Sequence, residues 1–176
     1  MLFTDPSTGV SFRYPRSWKF SRTQNFYLPA SVLTVEPEKG DGLFARGAVY
    51  RYADRWPGFE RTNLNGADFV FNTVPGIDRE SCLNWLDKAH LDPTDERTLH
   101  GIVFTHLKRA GAGLCHQEYE SIYLMQTHNT CYFFDLAVNT ICSGVADGIR
   151  DMSPRERREV RADLSAIMGS VRINVH

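Results

Sequence analysis

The sequence predicts an α+β fold: an antiparallel β-sheet flanked by helices, an α/β/α sandwich built as one domain across residues 1–176. Three observations predict it. Aromatics reach 12% of the chain, with eleven Phe and seven Tyr, a lean toward strands. Three long strand-like runs follow one another with short connections, and these must be antiparallel hairpins, because a parallel return needs a crossover of about a dozen residues. Two helix signatures punctuate the strands, one near the middle and one near the C-terminus. A length of 176 residues with 42% hydrophobic and 23% charged composition suits a globular domain with a real core.

Taken in order, Gly9-Val10-Ser11-Phe12-Arg13-Tyr14 alternates apolar and polar residues and reads as a strand. Pro15-Arg16-Ser17-Trp18 is a turn, and Lys19-Phe20 restarts the chain extended. Ser31 to Glu36 and Phe44 to Ala53 read as strands, with Glu38-Lys39-Gly40-Asp41-Gly42 as the loop between them. Ala67 to Val74 is a further strand after the Asn65-Gly66 turn, closed by Pro75-Gly76. Asp78 then N-caps a helix with Glu80 in its first turn. Cys82, Trp85, Leu86 and Ala89 share one helix face, and Asp92-Pro93 stops it. Gly101 to Arg109, Cys115 to Met125 and Cys131 to Ile141 are the three hairpinned strands. The last helix has Ser153 as N-cap, Pro154 at N1 and Glu156 completing a capping box. Its apolar stripe is Val160, Leu164, Ile167, Met168 and Val171. Arg155, Arg157, Arg158 and Arg161, mixed with Glu156, Glu159 and Asp163, read as its solvated face, with phosphate binding as the alternative.

A two- or four-residue turn at Thr127 to Thr130 sets Gln126 opposite Cys131. Counting outward, Tyr123 opposes Phe134, Ser121 opposes Leu136, Tyr119 opposes Val138, and Cys115 opposes Cys142. That face is aromatic and should be the packed one. Opposed Cα atoms lie about 4.5–5.5 Å apart, so Cys115 and Cys142 are expected as a cross-strand disulfide. Cys131 falls on the other face. It reaches Cys82 if the Asp78 helix covers that face near the turn; otherwise both are separate buried thiols.

A metal site is not expected, since no C-x-x-C and no H-x₃-H pair exists. His116-Gln117-Glu118 lacks the P-C-x-x-C companion of the zinc deaminases. Gly111-Ala112-Gly113 precedes a strand instead of a helix, so it reads as a hairpin loop and not a phosphate cradle. No catalytic motif and no cofactor fingerprint is present. With Ala110 to Leu114 as that loop, His106 falls near Glu118 and joins Asp135 and Asn139 in a polar group capable of acid–base work. An ordinary solvated sheet surface is the competing reading. Arg55, Trp56, Phe59 and Arg61 form an aromatic and basic loop suited to a protein partner, or a small cluster folded onto the sheet.

Gly9-Val10-Ser11-Phe12-Arg13-Tyr14-Pro15-Arg16-Ser17-Trp18 resembles the opening strand and turn of PsbP-like domains. The ending, Leu164 to Met168 running into Gly169-Ser170-Val171-Arg172-Ile173, is similar too. The middle, with His116, Tyr119, Tyr123 and His128-Asn129-Thr130-Cys131-Tyr132, is similar to exported bacterial proteins of unknown function. The resemblance implies an antiparallel sheet between helices and a role in binding or scaffolding instead of catalysis.

Three functions are therefore expected in order. The first is a non-enzymatic binding or accessory domain of an exported bacterial protein, with an unidentified protein partner. The second is a cytosolic adaptor or secretion chaperone using the Trp56 loop. The third is a small acid–base enzyme using His106, Glu118 and Asp135. A net charge of −1 argues against nucleic acid as a partner, and no apolar run reaches the roughly 20 residues that span a bilayer. MLFTDPSTGV has no leader pattern, which fits a cytoplasmic chain or a periplasmic or extracellular one quoted without its leader.

Overall fold

Strand is the dominant element of this computed structural model, which describes residues 1–21, 46–88, 95–113, 115–144 and 147–174, without the side chains of 84–88. In chain order the elements are β1 (Leu2–Asp5), β2 (Val10–Arg13), β3 (Lys19–Ser21), β4 (Gly47–Tyr52), β5 (Leu64–Pro75), α1 (Arg79–Lys88), β6 (Asp95–Leu99), β7 (Ile102–Gly113), β8 (His116–Thr127), β9 (Thr130–Ile141), α2 (Pro154–Gly169) and β10 (Arg172–Ile173). The strand expected at Ser31 to Glu36, the loop after it and the helix stop at Asp92-Pro93 lie outside the described residues.

Seven strands form one antiparallel sheet in the order β3-β4-β5-β9-β8-β7-β6. A small second sheet, β1-β2-β10, joins the two ends of the described chain. Two tight hairpins of the large sheet, β6–β7 and β8–β9, use two-residue turns with left-handed backbone at each central position: His100 and Gly101, then His128 and Asn129. That geometry matches the right-handed twist of the strands it joins. The second turn fixes the β8–β9 register as expected, with Gln126 opposite Cys131 and Tyr119 opposite Val138.

Side chains of β5 and β9 alternate between the two faces of the sheet. Phe69, Phe71, Phe134, Leu136 and Val138 face the main core. Helix α2 covers them with Val160, Leu164, Ile167 and Met168, and the small sheet adds Phe3, Val10 and Phe12. Phe134 is the hub: Phe69, Phe71 and Phe104 stand 6.1, 5.8 and 6.0 Å from it between ring centres. Fully burying one such ring is worth roughly 1.5–3 kcal/mol. Helix α2 starts where its sequence says it must. The Ser153 hydroxyl accepts from the Glu156 N–H at 3.3 Å, and the Glu156 carboxylate accepts from the Ser153 N–H at 2.7 Å.

The other face carries a smaller core of Cys82, Leu107, Ile122, Leu124, Cys131 and Phe133. Helix α1 sits there with Asp78 as its cap, the Asp78 carboxylate accepting from the Ser81 N–H at 2.8 Å. A Cys82–Cys131 disulfide ties this helix to β9, with Cα atoms 5.7 Å apart. The Cys115–Cys142 bond expected from the register is not formed. The last ladder pair is His116 with Ile141. Cys115 has turned into a left-handed conformation, φ 59°, as it enters β8, so it leaves the strand geometry that a cross-strand bond requires. The two residues remain neighbours, with the Cys142 N–H donating to the Cys115 carbonyl at 3.1 Å.

Candidate functional site

An opening among the described residues lies where α2 leaves the sheet partly uncovered. α2 packs over β5 and β9, so the same face of β7 and β8 is roofed on one flank only. A cavity of about 450 Å³ results, lined by Ala110, Tyr119, Leu136, Val138 and Leu164, with Lys108 and Arg161 beside them. A second cavity of about 340 Å³ adjoins it and shares Tyr119, Val138 and Arg161. It continues past Thr140 and Cys142 toward Met152 and Arg157. Side by side they make a groove, apolar at the larger cavity and mixed at the smaller, with Arg157 and Arg161 among its lining residues. The polar residues at its far end are already engaged: the Asn63 amide donates to Asp151 at 2.9 Å and its oxygen accepts from the Met152 N–H at 2.9 Å.

Ser121 lies in the wall of the larger cavity. Its hydroxyl is 2.7 Å from His106 Nε2, and His106 Nδ1 is hydrogen-bonded to the Asp95 carboxylate. Register explains the set. Asp95 on β6 is directly opposite His106 on β7, and Ser121 on β8 is one diagonal step from it, all on one face. Arg97 holds the second Asp95 oxygen at 2.6 Å. The His106 hydrogen bond and Arg97 both keep the Asp95 carboxyl below its ordinary range. A charged Asp95 can only accept, so Nδ1 carries the hydrogen, and in the neutral ring Nε2 accepts from Ser121.

The expected polar group is therefore split between two faces. β7 continues through the glycines to Gly113, so His106 pairs with Tyr123 and Gly111 takes the place opposite Glu118. Glu118, Asp135 and Asn139 stay together on the second face, where Asp68, Glu120 and Arg109 join them. This is not the solvated surface that was the competing reading, because Glu120 and Asp135 are each 4% exposed. Among the described residues, these four carboxyls have Arg109 as their close cation, 3.2 Å from Glu120. Burial pushes Glu120 up to about 7, with Glu118 adding repulsion and Arg109 opposing it. Burial likewise pushes Asp68 up to about 7, reinforced by the Glu118 charge. Asp135 is driven well above the carboxylate range by burial, then by Glu120 and Asp68. Burial and these neighbouring charges together favour a protonated Asp135.

Trp56 and Phe59 are not surface anchors. They are 2% and 3% exposed, and Trp56 meets Trp18 edge-on at 5.6 Å with the Arg51 guanidinium 4.4 Å over its ring. Arg55 and Arg61 of the same loop are exposed. Asp95, Ser121, Asp68 and Arg109 are site residues that the sequence did not single out. Among the described residues no group of three His, Cys, Asp or Glu side chains is arranged to hold a metal ion, and no helix is long and apolar enough to cross a membrane.

Solved structures share this fold. A crystal structure from Bacteroides thetaiotaomicron matches with a TM-score of 0.53 and 12% identity over 99% of this chain. This chain spans about half, 48%, of that protein's length. LpqN of Mycobacterium tuberculosis, described as involved in cell envelope biogenesis, matches with a TM-score of 0.51 and 12% identity, covering 97% of this chain and 87% of that one. At that identity the likeness shows the fold alone. No protein-family profile matches the chain, and no curated protein does.

Proposed function

We propose that this chain is a single PsbP-like binding domain across residues 1–176, an accessory component of a bacterial cell envelope, which holds its ligand in the groove between α2 and the sheet. The observation that carries the reading is the adjacency of two cavities that share Tyr119, Val138 and Arg161. Their combined size falls in the range of small-ligand sites, about 300–1,000 Å³. The apolar lining of the larger cavity, with Arg157 and Arg161 in the groove, suits a ligand with an apolar body and an anionic group, whether a small molecule or the end of a protein partner. The Cys82–Cys131 disulfide supports an oxidising compartment. The description of LpqN as a cell-envelope protein agrees with that placement.

The test uses 8-anilinonaphthalene-1-sulfonate, an apolar fluorophore with an anionic group. The folded protein should bind near one equivalent with a rise in fluorescence. Val138→Trp, which fills the shared floor, and Arg161→Glu, on the exposed rim, should each weaken binding about tenfold or more while the circular dichroism stays that of the native protein. Unchanged binding in Arg161→Glu would remove the groove from consideration.

A further inference from the structure

We propose that Ser121 is an activated nucleophile, with His106 as its general base and Asp95 as the residue that positions the base, and that the groove hydrolyses carboxylic esters with a small apolar acyl part. The geometry has the three elements such a relay needs. A hydroxyl lies 2.7 Å from an imidazole nitrogen, the other nitrogen of that ring is bonded to a carboxylate, and the hydroxyl opens on a cavity of about 450 Å³. His106 itself is buried, 2% exposed, with Tyr123 against its ring at 4.7 Å. Water is thus kept from the base while the nucleophile remains reachable. The inference rests on the groove being open to small molecules, and goes beyond binding.

The chemistry closes on the residues present and water. Ser121 Oγ attacks the ester carbonyl carbon, and its proton moves to His106 Nε2 as the Oγ–C bond forms. The oxyanion meets the positive charge of Arg161, which lines the same cavity. The carbon–oxygen bond to the leaving group breaks, and that alkoxide takes the proton from Nε2 and departs as an alcohol. Water then repeats the sequence on the acyl-serine, giving a carboxylic acid and restoring Ser121. The cavity's apolar lining, Ala110, Leu136 and Leu164, selects an apolar acyl part. Ser121 lies within β8, between two hydrogen-bonded neighbours, so its backbone N–H is committed to the sheet. The oxyanion is met by a side chain alone, and turnover should fall well below the common range of about 1–10³ s⁻¹.

Intact-mass analysis after exposure to a fluorophosphonate probe tests this, with p-nitrophenyl butyrate hydrolysis as the second readout. The wild-type protein should gain one adduct mapped to Ser121, with a rate that rises with pH along a single titration and disappears after denaturation. Ser121→Ala should lose both adduct and hydrolysis. Asp95→Asn, on the exposed edge strand, should fold normally yet react about 10³-fold or more slowly, as when the orienting carboxylate of a serine relay is lost. An adduct absent from the folded protein, one mapped to another residue, or wild-type reactivity in a folded Asp95→Asn overturns the proposal. Sulfonate-dye binding without a Ser121 adduct would leave the groove as a binding site and remove only the relay. Loss of both would remove both.

Discussion

Raising the pH from 5 to 8 should destabilise this protein, because the carboxyl cluster on the second sheet face holds protons that the unfolded chain releases. Glu120 moves from 4.5 unfolded to about 7 folded, and Asp68 from 3.8 to about 7. Between those values the native state binds more protons than the unfolded state, so stability falls as pH rises, and Asp135, also raised, acts in the same direction. Each tenfold gain in proton affinity is about 1.4 kcal/mol, which makes Glu120 worth about 3 kcal/mol at full titration. Asp68 is partly exposed and solvent screens it, so about half of its nominal figure, or about 2 kcal/mol, is a fair share. The pH 5–8 window captures most of the sum, about 3–4 kcal/mol. Against a typical domain stability of about 5–15 kcal/mol that is a large fraction.

The carboxyls held low act elsewhere on the scale. Glu156, at about 2 through Arg150 and the Ser153 N–H, contributes stability that is full above its unfolded value of 4.5 and lost as pH falls toward 2. It cannot offset the loss above pH 5, so the stability maximum should sit near pH 5. Urea unfolding followed by tryptophan fluorescence at pH 5, 6, 7 and 8 reads this directly, since Trp18 and Trp56 are both buried. With a slope of about 2 kcal/mol per molar urea, the midpoint should fall by about 1–2 M across the series. Asp68→Asn should flatten the fall. A midpoint that stays level or rises from pH 5 to 8 would refute the buried-cluster reasoning.

Three further outcomes are expected. Alkylation of the native protein should label Cys115 and Cys142 only, and prior reduction should expose Cys82 and Cys131; closing a loop of 49 residues makes that bond worth about 4 kcal/mol in the chain-entropy picture, read as a lower urea midpoint in the reduced protein. Gly9→Ala should cost about 2–3 kcal/mol, because Gly9 has φ +70° and an added Cβ would stand 2.1 Å from the Asn174 carbonyl oxygen; the melting temperature should drop by several degrees. Ser153→Ala should cost about 1 kcal/mol by removing the acceptor for the Glu156 N–H, again read by thermal melting.

The parts of the fold written in short-range chemistry are readable from sequence. The capping box at Ser153 and Glu156 is one, and the two-residue turn at His128-Asn129 is another, since it sets every pair from Gln126–Cys131 outward. The β7–β8 hairpin is not readable, because Gly111-Ala112-Gly113 looks like a turn and is strand. Moving the turn slides His106 from Glu118 to Tyr123, five places along β8. An odd slip exchanges the faces of a sheet, so one misplaced turn transfers His106 out of the carboxyl cluster and into the relay with Ser121. Asp95 is hidden for a different reason. β6 is a charged, mostly exposed edge strand, Asp-Glu-Arg-Thr-Leu, without the apolar alternation that marks an interior strand. The burial of Trp56 depends on Trp18, 38 positions earlier, and no local pattern records that meeting.

The small sheet has a bearing on how the molecule assembles. β10 closes against β2 through Arg172–Ser11 and Ile173–Val10, a contact that spans nearly the whole chain. During synthesis the strand at residues 172–173 leaves the ribosome long after β2, so the β2–β10 ladder can close only once residue 173 has been made. Long-range closures of this kind slow folding and leave apolar surface exposed meanwhile. Clipping the residues from 172 onward should therefore loosen β2 first.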